Sequence, residues 1–315
     1  MHKNLERWLL STILLSEVVI ILGAYTRLTD AGLGCPDWPG CYGRLIAPSS
    51  SKAWTEMIHR YIAGTLGILI VLLSIKAWLL RKDSKLWMLI TLVVGLVIFQ
   101  ALLGMWTVTL KLYPVVVMGH LLGGFAILSL LWLSYLLLRL KQMPNINISK
   151  SVKFLAYVAL FVLCLQIALG GWTSANYAAL VCADFPTCQG RWWPPMDWRA
   201  AFDLQAVGIF DSPGIPLENT PRVTIQMFHR IGALICSIIL GTLAIILIRS
   251  KQNALPRLGV ALLCFLALQL TLGITNVIAH LPLAISLLHN AIAACLLILI
   301  LTILFTLNVK TKHIA

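Results

Sequence analysis

The sequence predicts an all-α membrane protein whose eight transmembrane helices form two pseudo-symmetric four-helix bundles. The composition, eight long apolar segments and an internal repeat all support this prediction. Of the 315 residues, 60% are hydrophobic and 11% are charged, and the mean hydropathy is +0.92. Because soluble domains carry about 25% charged residues, this composition excludes a water-soluble enzyme, a disordered chain and a small secreted disulfide-bonded protein.

Eight apolar segments are long enough to cross a bilayer as helices, which requires about 20 residues. Strands of a membrane barrel would instead alternate in segments of about ten. The predicted spans are residues 8–26, 58–80, 86–107, 114–138, 153–173, 222–248, 257–278 and 283–308. The first span is too long for a signal peptide and no small-residue cleavage site follows it, so we expect it to be retained. No Arg- and Ser-rich transit segment precedes it, which favours a bacterial inner membrane over an organelle.

The distribution of basic residues predicts the orientation. On one side, the termini and short loops carry 14 Lys and Arg against two acids, whereas the long loops 27–57 and 174–221 hold most of the acids. Because cytoplasmic loops collect Lys and Arg, we expect both termini in the cytoplasm and both long loops outside. The net charge of +13 is thus largely a topology signal, and we expect no nucleic-acid partner.

The two halves of the chain, residues 1–145 and 146–315, repeat each other. Corresponding positions are separated by 147 residues at the paired cysteines, by 170 at residues 56–60, and by 169 at the last intramembrane histidine of each half. The change in offset marks an insertion in the second outer loop, around residues 201–220. With four spans each, both halves enter and leave on one face, which predicts a parallel repeat about an axis along the membrane normal.

Four intramembrane histidines are the main candidates for function, because ionisable residues inside a membrane are costly. They are His59, His120, His229 and His289. Counted from the predicted helix starts, all lie about 9 to 12 Å below the outer helix ends. A single such histidine is often a hydrogen-bonded core residue, but four at matched depth predict two axial pairs, each bracketing a haem in a bundle core. Zinc is disfavoured, because no third ligand is evident near either pair.

Glu56 distinguishes the first half from the second. It lies three residues before His59 and therefore on the same helix face, whereas its counterpart Gln226 cannot ionise. A carboxylate beside a haem edge can take a proton or stabilise a developing cation, which predicts Glu56 as the catalytic residue. The alternative is an interfacial ion pair with Arg60. We expect Arg60 and Arg230 to hold haem propionates, or alternatively to reach the membrane interface.

Two cysteine pairs lie in the outer loops, each enclosing five residues. Since the outer compartment is oxidising, we expect disulfides between Cys35 and Cys41 and between Cys182 and Cys188. One possibility is that these disulfides only stabilise the loops. The other is that they control access to the haem or take part in redox chemistry.

At these residues the sequence resembles the bacterial haem A synthase family, whose members have eight transmembrane helices. The resemblance covers nearly the whole chain. It is carried by the Gly-x-Gly-Cys and Trp-Pro-x-Cys-x-Gly stretches of the first outer loop, Glu56, His59, Arg60 and His120, and their second-half echoes. It implies an oxidoreductase that converts the C8 methyl of haem O to a formyl group, giving haem A for haem-copper oxidases.

By that resemblance, the first half binds the substrate haem O through His59 and His120, with Glu56 as the reactive-site glutamate. The second half binds haem b through His229 and His289. Both cysteine pairs match the family's disulfide positions. The expected partners are haem O synthase and an electron-transfer protein, and a homo-oligomer is compatible with the sequence.

Two other functions fit parts of the pattern. A di-haem b-type electron carrier, such as a quinol oxidoreductase, would also use two histidine pairs, but it needs no difference between Glu56 and Gln226. A transporter built on a parallel repeat would need polar, broken helices near the midplane, and Gln100, Gln269 and Asn276 are weak indications of that.

Overall fold

The computed structural model describes residues 2–80, 84–139, 148–204, 219–252 and 254–309, which contain nine helices. In chain order these are α1 (His2–Leu28), α2 (Ser51–Leu80), α3 (Ser84–Thr109), α4 (Pro114–Leu138), α5 (Lys150–Ala175), α6 (Trp198–Phe202), α7 (Asn219–Ile248), α8 (Leu255–Ile278) and α9 (Leu283–Asn308). Several basic residues used to predict the orientation (Arg81, Lys82, Lys141, Lys310 and Lys312) lie outside the described residues, as do residues 205–218 of the predicted insertion.

All the described helices except α6 are long and apolar enough to cross a membrane, eight in total. The prediction of a multi-pass, all-helical membrane protein is therefore confirmed. Helix α2 begins at Ser51 and α7 at Asn219, ahead of the predicted starts at 58 and 222. Their first turns carry polar residues such as Lys52 and Thr220, which a search for apolar segments leaves out.

In each half, every membrane-spanning helix contacts the next one along the chain, and the first helix also contacts the fourth. In the first half α1, α2, α3 and α4 make this arrangement, and in the second half α5, α7, α8 and α9 do. The halves meet where α1 and α4 contact α9 and where α4 contacts α5. Leucines such as Leu9, Leu128 and Leu240 are fully buried in this core. The pseudo-twofold relation between the halves stays a prediction.

The two cysteine loops have nearly the same conformation. Both predicted disulfides are present, Cys35–Cys41 and Cys182–Cys188. Each loop contains a cis proline, Pro39 or Pro186. In each, the second cysteine forms an isolated bridge with the residue three positions later.

An aspartate organises each of these loops from within. The Asp37 carboxylate accepts hydrogen bonds from the N–H groups of Gly43 (2.7 Å) and Tyr42 (2.6 Å), and these hold its pKa below the usual value. Asp184 accepts from the Thr187 hydroxyl and from the N–H groups of Gly190 and Gln189, which lower its pKa to about 2. Donors that favour the charged carboxylate explain both shifts.

Helix α6 lies in the longer loop between α5 and α7, and the sequence did not predict it. Asp197 caps its first turn by accepting a hydrogen bond from the Ala200 N–H at 3.0 Å. The buried Trp172 of α5 donates its indole N–H to the Ala201 carbonyl at 3.0 Å. The Phe202 ring packs against Phe228 of α7, with ring centres 5.2 Å apart. These contacts fix the loop to α5 and α7.

Candidate functional site

The four intramembrane histidines lie on α2, α4, α7 and α9, as predicted. In the first half, the ring centres of His59 and His120 are 6.5 Å apart and their planes are nearly perpendicular, at 86°. Two metal–imidazole bonds of about 2 Å, with about 1 Å from each nitrogen to its ring centre, would separate two axial imidazoles by roughly 6 Å. The observed spacing fits one iron held between the two rings.

Three of the four histidine rings have a buried nitrogen atom without a hydrogen-bond partner. The Nδ1 atoms of His59, His120 and His289 are buried and have no hydrogen-bond partner. A buried polar atom without a partner is uncommon and calls for an explanation. A metal takes one imidazole nitrogen, and the other nitrogen normally donates its proton to an acceptor. Rings with a buried nitrogen that has no partner are therefore candidates for a ligand that the protein's own side chains do not supply.

Each histidine ring packs against a glycine on the preceding transmembrane helix of its half. A Cβ atom built on the glycine would lie 3.2 Å from the ring Cε1 in three cases and 3.0 Å in the fourth. The pairs are Gly23 with His59, Gly104 with His120, Gly170 with His229, and Gly273 with His289. Any larger residue would push the ring away, so these glycines set the positions of the imidazoles.

The sequence contained a signal for these glycines that we did not use. Gly23 and Gly170 are 147 residues apart, and Gly104 and Gly273 are 169 apart, the same offsets that relate the cysteines and the last histidines. Glycine carries no chemistry of its own and is common in membrane helices, so only the repeat could have identified it.

Three glutamines approach the histidines, in different ways in the two halves. Gln100 donates to the backbone carbonyl of His120. Gln166 places its Nε2 atom 3.0 Å from the carbonyl oxygen of His229 and 3.1 Å from the Nδ1 atom of the same residue. The Nε2 atom of Gln269 lies 3.3 Å from Nε2 of His289. The sequence analysis noted Gln100 and Gln269 only as weak indications of a transporter, and did not identify Gln166.

Glu56 is buried beneath the first cysteine loop, with 4% of its surface exposed. Its Oε2 atom accepts the N–H of Cys35 at 2.8 Å, and its Oε1 atom pairs with Arg60. The alternative predicted from the sequence, an ion pair one turn along the helix, is therefore present, although it is buried rather than interfacial. Gln226 is equally buried at 4%, and its Oε1 atom has no partner.

The two arginines bind the cysteine loops. Arg60 donates to the carbonyls of Asp37 (2.9 Å) and Gly40 (2.6 Å). Arg230 donates to the carbonyls of Cys182 (2.9 Å), Asp184 (2.9 Å) and Thr187 (2.7 Å). Each guanidinium thus ties a loop to the helix turn that carries a histidine. Contacts with haem propionates stay a prediction for both residues.

Glu17 is an intramembrane acid that the sequence analysis overlooked. It lies on α1, and both of its carboxylate oxygens are buried without a hydrogen-bond partner. Its repeat counterpart is Cys164, so it is another difference between the halves. It was missed because a single acid does not interrupt an apolar segment.

The fold and the histidine arrangement define a polytopic helical membrane protein with four histidines in its membrane-length helices, two of them a close ring pair, and two disulfide-bonded loops. The chain belongs to the COX15-CtaA family, described as cytochrome oxidase assembly protein, whose family model matches residues 6–301. The family resemblance noted from the sequence is thereby confirmed.

Curated relatives cover nearly the same length. The chain is 46% identical to a Heme A synthase of Shewanella oneidensis, over 97% of both chains. It is 29% identical to a Heme A synthase of Shouchella clausii, over 78% of this chain and 76% of the relative. A Heme A synthase of Halalkalibacterium halodurans is 26% identical over 94% of both.

Proposed function

We propose that this chain is a haem A synthase, an oxidoreductase that converts the C8 methyl of haem O to the formyl group of haem A. The observation that carries this proposal is the 46% identity to a Heme A synthase over 97% of both chains. The eight membrane-spanning helices and the placement of the histidines agree with it.

Residues 1–145 form the half that binds and oxidises the substrate. His59 and His120 hold the iron of haem O, which the 6.5 Å separation and nearly perpendicular orientation of their rings support. Gly23 and Gly104 keep the two rings in position by leaving no Cβ in their way. Since product must leave for every substrate that enters, this half exchanges its porphyrin.

Glu56 is the catalytic residue. Its Oε2 atom is held by the Cys35 N–H and its Oε1 atom by Arg60, so the carboxylate is fixed one helical turn before His59. A carboxylate in that position can accept the proton released as the methyl group is oxidised, and its charge stabilises positive charge developing on the methyl carbon. The Cys35–Cys41 loop covers this carboxylate and helps to exclude water from it.

Residues 146–315 form the half that binds haem b, through His229 and His289. When bound, haem b supplies one-electron chemistry that the protein's side chains lack. The second cysteine loop is tied to α7 by Arg230, whose guanidinium is also the candidate for binding a propionate. Gln226 occupies the position of Glu56 and cannot ionise, which supports a non-catalytic role for this half.

We place the protein in a bacterial inner membrane, with both termini in the cytoplasm and the cysteine loops on the outer side, as the Lys and Arg distribution indicates. Haem O synthase is the upstream partner that would supply substrate, and an electron-transfer protein is the second expected partner. A homo-oligomer is compatible with this arrangement.

The haem content of the purified protein tests the proposal. The protein is expressed with and without a source of haem O, and its haems are extracted and identified by pyridine-haemochrome spectra and chromatography. We expect haem b in both preparations and haem A only when haem O is supplied. Haem b without any formyl product would favour a di-haem electron carrier instead.

A further inference from the structure

Gln166 is placed differently from every other polar residue near the histidines. Its side-chain amide is the only one, among the described residues, that lies within hydrogen-bond distance of a histidine Nδ1 atom, 3.1 Å from that of His229. It also reaches the His229 carbonyl at 3.0 Å. Gly170, which supports the same ring, follows one helical turn later on α5. Side chain and glycine therefore hold one imidazole from the same helix face.

The first half lacks this arrangement. At the offset of 147 residues that relates Gly23 to Gly170, the counterpart of Gln166 is Val19, which can neither donate nor accept a hydrogen bond. Accordingly, the Nδ1 atom of His59 is buried with no partner. The two halves support equivalent histidines with the same glycine but with different neighbours one turn away.

The residue that packs against Gln166 also differs between the two halves. The Gln166 side chain packs over Gly232, where a Cβ atom would collide with its Oε1 atom. The first-half counterpart of Gly232 is Ile62. One half thus combines a long polar side chain with a glycine, and the other combines two branched apolar side chains. Because close packing couples neighbouring volumes, the glycine provides the room that Gln166 requires.

The chemistry of an axial histidine gives this contact a role. A histidine that binds a metal through Nε2 carries its proton on Nδ1, and an acceptor for that N–H fixes the ring and strengthens the ligand. The amide of Gln166 has an oxygen as well as a nitrogen, and its Oε1 atom is buried without a partner. As the side chain stands, its NH2 group faces Nδ1 and donates to the His229 carbonyl. Rotation of the amide, with loss of the bond to that carbonyl, would present the oxygen to the Nδ1–H of a ring that binds a metal through Nε2.

We propose that Gln166 is a positioning residue that fixes the His229 imidazole by hydrogen bonding to Nδ1, so that the second half retains haem b while the first half, with Val19 in its place, releases its porphyrin. This inference rests on the proposed function, since it takes haem b as the ligand of the second half. It assigns the difference between a resident cofactor and an exchanging substrate to one helix position.

The test measures how fast haem b leaves the full-length purified protein in detergent, with excess apomyoglobin as the acceptor. Gln166→Val alone, and together with Gly232→Ile, gives the second half the residues of the first. Loss of a hydrogen-bonding partner of a metal ligand costs roughly 10- to 100-fold in affinity, so we expect haem b to leave at least about tenfold faster. The largest g value of the ferric haem signal in electron paramagnetic resonance should also shift.

Gln226→Leu is the matched control, because it removes a buried glutamine of α7 whose Oε1 atom has no hydrogen-bond partner. We expect its haem loss and resonance signal to equal those of the wild type. The reverse exchange, Val19→Gln with Ile62→Gly, should slow the release of haem A from the first half. It also keeps the inference testable if the Gln166 variants fail to fold.

The outcomes separate the two proposals. If the wild type holds haem b and makes haem A, but the Gln166 variants keep the wild-type rate of haem loss and resonance signal, the role of Gln166 is wrong and the proposed function stands. If the wild type, purified or reconstituted with haemin, holds no haem b, the proposed function of the second half is wrong and the inference falls with it.

Discussion

The two halves of this protein have cysteine loops of similar structure, but they differ at residues near the histidines. Both cysteine loops contain a disulfide, a cis proline and an aspartate that accepts backbone N–H groups. An arginine of α2 or α7 binds the carbonyls of each loop. Both halves also seat their histidines against glycines. These common features form a scaffold for two imidazoles under a rigid cover.

The differences lie at a few positions close to the histidines. Glu56 accepts the Cys35 N–H of the first loop, whereas the Oε1 atom of its counterpart Gln226 is buried without a partner. The Gln166 contact with the Nδ1 atom of His229 has no first-half equivalent among the described residues. Helix α6 adds a further attachment to α5 and α7 of the second half. Under the proposed function, these few side-chain differences are what separates oxidation in the first half from retention of haem b in the second.

Among the substitutions that test this comparison, removing the charge of Glu56 should have the largest effect on turnover. Glu56→Gln gives the first half the residue of the second, and because general acid–base groups contribute about 100- to 10,000-fold, we expect haem A formation to fall at least about 100-fold. Haem b content should not change. Chromatography of the haems formed from supplied haem O measures this, with Gln226→Leu as the control that keeps turnover. Wild-type turnover in Glu56→Gln would show that the first half is not reactive through this residue.

Adding a methyl group at the glycine that packs against a histidine ring should have the next largest effect. The property that it changes should differ between the halves. In Gly23→Ala and Gly170→Ala the new Cβ would lie 3.2 Å from the ring Cε1, so the ring must shift by a few tenths of an ångström. Since misplacement by about 1 Å can cost about 100-fold, we expect Gly23→Ala to lower turnover roughly tenfold and to keep haem b. Gly170→Ala should instead lower haem b occupancy.

Gly64→Ala and Gly241→Ala are the controls for these substitutions, because a Cβ at either position meets nothing within 4 Å. Haem content and turnover are measured on the same preparations. Equal losses in all four variants would mean that the glycines support the helices in general and do not set the ring positions.

Replacing the aspartate of a cysteine loop should have the smallest effect, a slight loss of thermal stability that is similar in both halves. Asp184 has a folded-state pKa of about 2, below its ordinary value of 3.8, so its charged form stabilises the folded loop above about pH 4 and this contribution is lost as the pH falls towards 2. Asp184→Asn should lower the thermal midpoint slightly at pH 7, and the difference from the wild type should shrink below pH 4. Asp37→Asn should behave alike, since its pKa is lowered in the same direction. Scanning fluorimetry in detergent checks both, and a difference that grows at low pH would contradict the assignment.

The sequence predicted the parts of this structure that repeat or that carry long apolar segments. Spans, histidines and disulfides follow from hydrophobicity, spacing and compartment. The contact of the Cys35 N–H with Glu56 could not be predicted, because it depends on how the loop backbone folds over α2. Helix α6 was missed because its five residues lie in a polar loop. Gln166 was missed because its counterpart is Val19, so the repeat hides it.

The central claim is that His59 and His120 serve the substrate while His229 and His289 serve haem b. The most direct measurement compares the haems bound and formed by His59→Ala and His229→Ala, purified from cells that supply haem O. The account predicts that His59→Ala keeps haem b and forms no haem A, whereas His229→Ala loses haem b. If His59→Ala loses haem b and His229→Ala retains it, the roles of the two halves are reversed and the account is wrong.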